Sequence, residues 1–182
     1  APSIGGRADP IEVVSAEDIE KSPYSKLSQV LQYLVPGFHS TPQTIADGTD
    51  HIDPISYRGL GPDQLLILVN GKRWHASSLV NVNGTFGRGS VSTDINSIPK
   101  SAVDRIEILK NGAATRYGSD AISAVINIVL KNQAQNRISS TGGATKAGDG
   151  SLLQFSANYG FRIGEKGFIH ITGDFMDKGG IN

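Results

Sequence analysis

Residues 103–131 read VDRIEILKNGAATRYGSDAISAVINIVLK. DRIEILK and AVINIVLK carry the continuous apolar character of strands buried on both faces. Gly112 closes the first pattern and Gly118 stands just before the second. The intervening residues Ala113–Asp120 are small and polar with one aromatic, Tyr117. They hold neither a catalytic pair nor the glycine spacing of a phosphate cradle, so they read as a loop whose purpose is structural.

Upstream of this stretch, apolar runs alternate with helical patterns. PIEVVSAEDI (10–19) begins as a strand and turns into a helix, with Ser15 as N-cap and Asp18 completing a capping-box variant. In SKLSQVLQYLVPGF (25–38), Leu27, Val30, Leu31 and Leu34 fall on one helical face and Pro36-Gly37 ends the helix. HSTPQTIADGTDHIDP (39–54) is polar, is broken by prolines and reads as a long loop. ISYRGLG and QLLILVNGKR read as strands, the second reaching a hairpin turn at Asn70-Gly71. Residues 74–96, WHASSLVNVNGTFGRGSVSTDIN, sustain no period. An irregular stretch of that length inside a domain is usually functional or disordered. SIPKSAV follows as a short helical turn with proline early in it.

Composition excludes several classes of function. The 182 residues suffice for one domain with a real core, or one domain and part of another. Lysine and arginine total 17 and so do aspartate and glutamate, which leaves no basic field for a nucleic-acid backbone. The absence of cysteine removes disulfides, thiolate zinc sites and thiol nucleophiles. No stretch reaches the length of an apolar membrane helix. APSIGGRADP at the start has neither a basic nor an apolar signal region, so a cytosolic chain or one already processed is expected. No GxSxG or HExxH pattern occurs and His39, His75 and His170 stand singly, so no enzyme is expected. Asp47, Asp50, His51 and Asp53 lack the spacing of a calcium loop and read as a solvated loop; no metal or cofactor is expected.

Past residue 132 the pattern changes. Leu153, Phe155, Ala157, Tyr159 and Phe161 alternate with Gln154, Ser156, Asn158, Gly160 and Arg162. GEKG (164–167) is a short turn, after which Ile169, Ile171 and Phe175 oppose His170, Thr172 and Asp174. RISSTGGATKAGDGS before them is a weaker strand ending in a Gly-Asp-Gly turn. Strands of this length with a period of two suit the wall of a transmembrane β-barrel. They also suit an ordinary half-buried antiparallel sheet, and alternation alone leaves both open.

The order PIEVVSAEDI, LQYLVPGF, ISYRGLGPDQLLILVNGKR and IPKSAVDRIEILKNGAATRYGSDAISAVINIVLK resembles the plug domain of TonB-dependent outer-membrane transporters. The resemblance implies an α+β fold: a small mixed-sheet plug domain with short helices over 10–131, after an N-terminal linker 1–9. Antiparallel strands that begin a transmembrane β-barrel would follow over 137–182. It implies residence in the bacterial outer membrane, with the plug inside its own barrel, facing the periplasm and gating energy-coupled uptake of a scarce small-molecule nutrient. TonB would bind a segment upstream of residue 1. The opposing expectation is a stand-alone soluble α+β ligand-binding domain.

Within the resemblance, Arg58 and Lys110 match two basic plug positions that anchor the plug to glutamates of the barrel wall. Lys110-Asn111-Gly112 stands where the family has Arg-Gly-Pro, which keeps the charge without the planar fork. Gly59, Asn70, Gly71, Gly112, Tyr117 and Gly118 are the expected structural turns. Trp74, His75, Asn81, Asn83, Phe86 and Arg88 mix aromatic platforms with hydrogen-bonding groups and are the expected ligand-binding residues.

Overall fold

The computed structural model describes residues 11–42, 52–82, 84–110, 113–132, 136–146, 150–164 and 167–180. The chain divides into two compact units, residues 1–130 and 131–182.

The first unit is built on a five-stranded mixed sheet. Strand β1 (Ile11–Ser15) runs into helix α1 (Ala16–Lys21), and α2 (Leu27–Leu34) follows. Strands β2 (Phe38–Ser40) and β3 (Ile55–Tyr57) pair with each other as a separate ribbon. Next come β4 (Leu65–Val69), β5 (Lys72–Arg73), β6 (Val103–Leu109), helix α3 (Ala113–Tyr117) and β7 (Ala124–Leu130). The spatial order is β1-β6-β7-β4-β5, with β7 and β4 parallel and the other neighbours antiparallel.

Both faces of this sheet are covered, which explains the unbroken apolar runs. Leu65, Ile67, Ile106, Ile108, Ile126 and Ile128 face one way and join Ile19 of α1 and Leu27, Val30 and Leu31 of α2 in the main core. Leu66, Leu68, Leu109 and Val125 face the other way, under Ala121 and Tyr117. Ser15 caps α1 as read: its hydroxyl accepts the Asp18 N–H, and the Asp18 carboxylate accepts from Ser15 in return. Helix α2 stops at Val35, and Gly37 takes a φ of 84°.

Two expectations need correction. KNGAATRYGSDA is not a plain loop. It contains α3 and a 3-10 turn at Ser119–Ala121, and this pair closes the second face of the sheet. Five residues of helix cover too little length for a periodic signal, and the small residues suggested a turn instead. Likewise the polar stretch from His39 is not loop from its start, because Phe38–Ser40 is paired with Ile55–Tyr57. SIPKSAV does form a short turn, a 3-10 segment at Lys100–Ala102.

The second unit is an antiparallel sheet in the order β10-β9-β8, from β8 (Arg137–Gly143), β9 (Leu152–Ile163) and β10 (Gly167–Lys178). Its amphipathicity is inverted relative to a protein that folds in water. Phe155, Tyr159 and Phe161 of β9 lie opposite Phe175, Ile171 and Ile169 of β10, and all six are exposed. The intervening Gln154, Ser156 and Asn158 are buried. The polar side chains bond one another across the strands: Ser156 Oγ to Asp174 Oδ2 at 2.7 Å, and Thr172 Oγ1 to Asn158 Oδ1 at 2.7 Å. Each large apolar side chain left in water forgoes roughly 1.5–3 kcal/mol of burial, so a contiguous row of them calls for an apolar surrounding. Twelve residues in β9 and in β10 are enough for tilted strands to cross a bilayer core.

Candidate functional site

Arg58 and Lys110 lie at two turns of the first unit. Arg58 and Gly59 have φ values of 54° and 75°, and Leu60 N–H returns to the Tyr57 carbonyl at 3.1 Å. Left-handed torsions at both central residues are those of a type I′ turn, which admits glycine freely but strains arginine. At least two contacts hold Arg58 there. Its N–H donates to the Gly37 carbonyl at 2.8 Å, and its guanidinium stands 5.3 Å from the Tyr57 ring centroid. The side chain is exposed. Lys110 is engaged within the unit: its ammonium meets the Glu12 carboxylate on β1. That bond, aided by the Tyr57 hydroxyl and opposed by desolvation, holds the ammonium above its ordinary value of 10.5.

The second hairpin turn is anchored from inside the sheet. Asn70 and Gly71 have φ values of 52° and 79°, another type I′ pair. Asn70 Oδ1 accepts the Leu130 N–H at 2.9 Å, and Gly71 N–H donates to Asn127 Oδ1 at 2.9 Å. Asn127 is 0% exposed and gives its other hydrogen bond to Glu107 Oε2 at 3.1 Å. Glu107 is 3% exposed and is paired through Oε1 with Arg105 at 3.0 Å. This line of polar groups went unread in the sequence, although Asn127 is the single polar residue of AVINIVL.

Arg73, just past that turn, fastens the end of α3. It donates to the Asp120 carboxylate and to the Tyr117 carbonyl. The guanidinium holds the Asp120 carboxyl below its ordinary value of 3.8. Gly118 between them has a φ of 102°, and a Cβ added there would stand 3.4 Å from Asp120 Oδ1. Tyr117 packs under the second core while Gly118 makes the turn, which gives the Tyr-Gly pair a division of labour. Gly112 and Asn111 lie outside the described residues.

The irregular excursion 74–96 disperses its expected ligand residues. Trp74 is partly buried and packs on the main core, with its ring 4.8 Å from that of His75. Asn81 is 1% exposed, so its carboxamide is enclosed, and Nδ2 has no hydrogen-bond partner among the described residues. His75, Phe86 and Arg88 are exposed, and Asn83 lies outside the described residues. His75 lines a cleft of about 360 Å³ with Ile52, Ser77, Ser78, Asp94 and Ser97.

That cleft sits beside a buried ionic node. Asp53, read from sequence as part of a solvated loop, is instead buried; Lys26 Nζ pairs with it at 2.8 Å and Asn96 Nδ2 donates to it at 3.1 Å. Asn96 Oδ1 accepts the Ser28 N–H at 3.0 Å, in the first turn of α2, where Lys26 as N-cap supplies no side-chain bond. Asn96 thus caps α2 from a distant segment. Asp47, Asp50 and His51 lie outside the described residues. Among the described residues no cluster suited to a metal ion occurs.

Comparison with known proteins places this architecture. Residues 7–125 match the family model described as the TonB-dependent receptor plug domain. The chain is 34% identical over 172 residues to the vitamin B12 transporter BtuB of Vibrio cholerae, covering 93% of this chain and 25% of that protein. It is 36% identical over 126 residues to the ferric enterobactin receptor of Pseudomonas aeruginosa, covering 69% and 17%. Among solved structures, the ferric enterobactin receptor PfeA of Pseudomonas aeruginosa superimposes with a TM-score of 0.70 at 29% identity, over 92% of this chain and 24% of that one. The siderophore receptor PirA of Acinetobacter baumannii gives 0.66 at 26% identity, over 92% and 24%. The chain therefore spans a quarter or less of the length of these relatives. With a two-faced mixed sheet running into an inverted antiparallel one, and a plug model matching most of the first unit, the chain belongs to the TonB-dependent receptor plug domain family.

Proposed function

We propose that the chain is the plug and the barrel onset of an outer-membrane transporter, in which the plug gates energy-coupled nutrient uptake driven through TonB. The observation that carries this reading is the pairing of two opposite solvation patterns in one chain. The first unit buries apolar residues on both faces of its sheet, whereas β9 and β10 expose theirs, and β9 buries the polar Gln154, Ser156 and Asn158 that alternate with them. A stand-alone soluble binding domain would have no use for the exposed row. TonB engages a segment upstream of residue 1, and the chain carries out no covalent chemistry.

The nutrient is a bulky polar ligand of the kind for which the relatives are named, a corrinoid or a ferric siderophore. The exposed His75, Phe86 and Arg88 of the excursion contact the ligand, and Trp74, Asn81 and Asn83 are the further expected ligand residues. Arg58 and Lys110 anchor the plug to the barrel wall.

The test uses the full-length transporter in planar bilayers. The parent should be nearly silent, and excision of residues 11–130 should leave a large, continuously open conductance. Equal conductance for the two would remove the gating role. Uptake of ferric siderophore against cobalamin by a strain relying on this transporter identifies the cargo. Alanine at His75 and Phe86 should weaken binding of whichever is carried.

A further inference from the structure

The excursion after Trp74 is irregular in sequence yet bonded to itself. Ser77 N–H donates to the Ser92 carbonyl at 2.8 Å, Asn81 N–H to the Ser90 carbonyl at 2.9 Å and Gly89 N–H to the Asn81 carbonyl at 2.8 Å, with a bridge between Val80 and Val91. The Gly87 carbonyl accepts both the Ser90 N–H, at 2.9 Å, and the Ser90 hydroxyl, at 2.6 Å. Gly84, Gly87 and Gly89 all hold left-handed torsions, with φ values of 81°, 72° and 86°, so torsion sets none of them apart. Space does. A Cβ at Gly84 or Gly89 would meet nothing within 4 Å, whereas one at Gly87 would stand 2.4 Å from Pro62 Cδ and 2.7 Å from Pro62 Cγ. A pyrrolidine ring cannot swing aside as a long side chain can. Pro62 is itself buried and opens the 3-10 turn Pro62–Gln64, whose Gln64 carbonyl accepts both the N–H of Ser123, at 3.0 Å, and its hydroxyl, at 2.8 Å.

We propose that Gly87 is a positioning residue: by letting the backbone rest on the Pro62 ring, it seats the excursion on the turn that leads into β4 and sets where Phe86 and Arg88 stand. Those two are its neighbours in sequence, and both are exposed. The glycine is thus required by contact with a fixed ring, while Gly84 and Gly89 are required by torsion alone. The consequence for uptake rests on the reading of Phe86 and Arg88 as ligand residues; the seat itself does not.

The test is hydrogen–deuterium exchange over residues 84–92 in the full-length transporter. Gly89→Ala carries the torsional cost alone and should quicken exchange about fivefold. Gly87→Ala adds the collision with the ring and should quicken it about fiftyfold. Pro62→Ala removes Cγ and Cδ, so the double variant with Gly87→Ala should fall back to about the Gly89→Ala rate. Equal rates for the two glycine variants, or no relief from Pro62→Ala, would overturn the seat. Should Gly87→Ala fail to assemble, Pro62→Ala alone tests the contact from its other side: faster exchange over 84–92 supports the seat and parental exchange refutes it. Uptake of cobalamin and of ferric enterobactin by the same variants separates the two readings. Exchange that changes as stated with uptake unaltered keeps the seat and removes the ligand role of Phe86 and Arg88.

Discussion

Replacing Asn127 by aspartate places a second carboxylate inside the plug, and the outcome follows from the geometry. The amide nitrogen lost is the one 3.1 Å from Glu107 Oε2, and both residues are almost wholly buried. Two unit charges about 3 Å apart at an effective dielectric constant of about 20 repel by roughly 5 kcal/mol. The new carboxyl escapes part of that by keeping its proton. Doing so at pH 7, about three units above the ordinary aspartate value of about 3.9, costs about 4 kcal/mol. The protonated form donates its O–H to Glu107 while its other oxygen still accepts from Gly71, so it nearly restores the parent arrangement. The folded-state pKa is thus raised, and the penalty vanishes below the unfolded pKa and grows as pH rises above it. Expected destabilisation is about 4 kcal/mol at pH 7, about 1.5 at pH 5 and under about 0.5 at pH 4. Asn127→Leu, which cannot bond either partner, should lose about 1–3 kcal/mol with no such pH dependence. The assay is urea unfolding of residues 10–131 expressed alone, expected to fold as a unit, with Trp74 as the sole tryptophan packed on the core. Parental stability at pH 7, or a loss that stays constant from pH 4 to pH 7, would refute the reasoning.

Asp53→Ala and Asn96→Ala should each cost about 1–3 kcal/mol in the same assay, because each disconnects the cap of α2 from its buried support. Their double variant should lose less than the sum, and strict additivity would show that the two do not act together. Asp120 has a depressed pKa, so its pair with Arg73 contributes above the unfolded value of 3.8 and is lost as pH falls through the lower folded value. Arg73→Met should accordingly remove a small increment near neutrality, about 0–1 kcal/mol for a pair this exposed, and converge with the parent in strong acid. In the full-length transporter, Arg58→Ala should loosen the plug and raise antibiotic sensitivity and conductance. Lys110→Ala should act in the same direction but less, since lysine lacks the bidentate fork. Parental conductance and sensitivity in both single variants and the double would show that neither residue anchors the plug.

What was legible in the sequence is what rests on short-range physics. The Ser15 and Asp18 cap, the Asn70-Gly71 turn and the apolar stripe of α2 each depend on residues within a few positions of one another. The period of two in β9 was equally plain, but its polarity was not: which face meets protein is a property of the surroundings rather than of the alternation. Helix α3 was hidden because it is short and rich in small residues. Asp53 was misread because its partners, Lys26 and Asn96, stand 27 and 43 residues away, and its charged neighbours in sequence suggested solvent. Asn127 was visible as a polar interruption, but only the fold brings Glu107 and Gly71 to it. Trp74 and Asn81 carry ligand-like chemistry in sequence, yet packing draws them inward while leaving His75, Phe86 and Arg88 outside.

Nitroxide scanning of β9 and β10 in the full-length transporter, reconstituted in bilayers, addresses the central claim most directly. Collision rates with oxygen, which concentrates in lipid, and with a polar nickel chelate would be read at consecutive positions. Labels at residues 153, 155, 159 and 161, and at 169, 171 and 175, should collide with oxygen and be shielded from nickel. Labels at 154, 156 and 158, and at 170, 172 and 174, should be shielded from oxygen, giving a period of two in phase across both strands. A scan without that period, or one in which the odd-numbered row meets the polar reagent, would contradict the reading of this sheet as barrel wall.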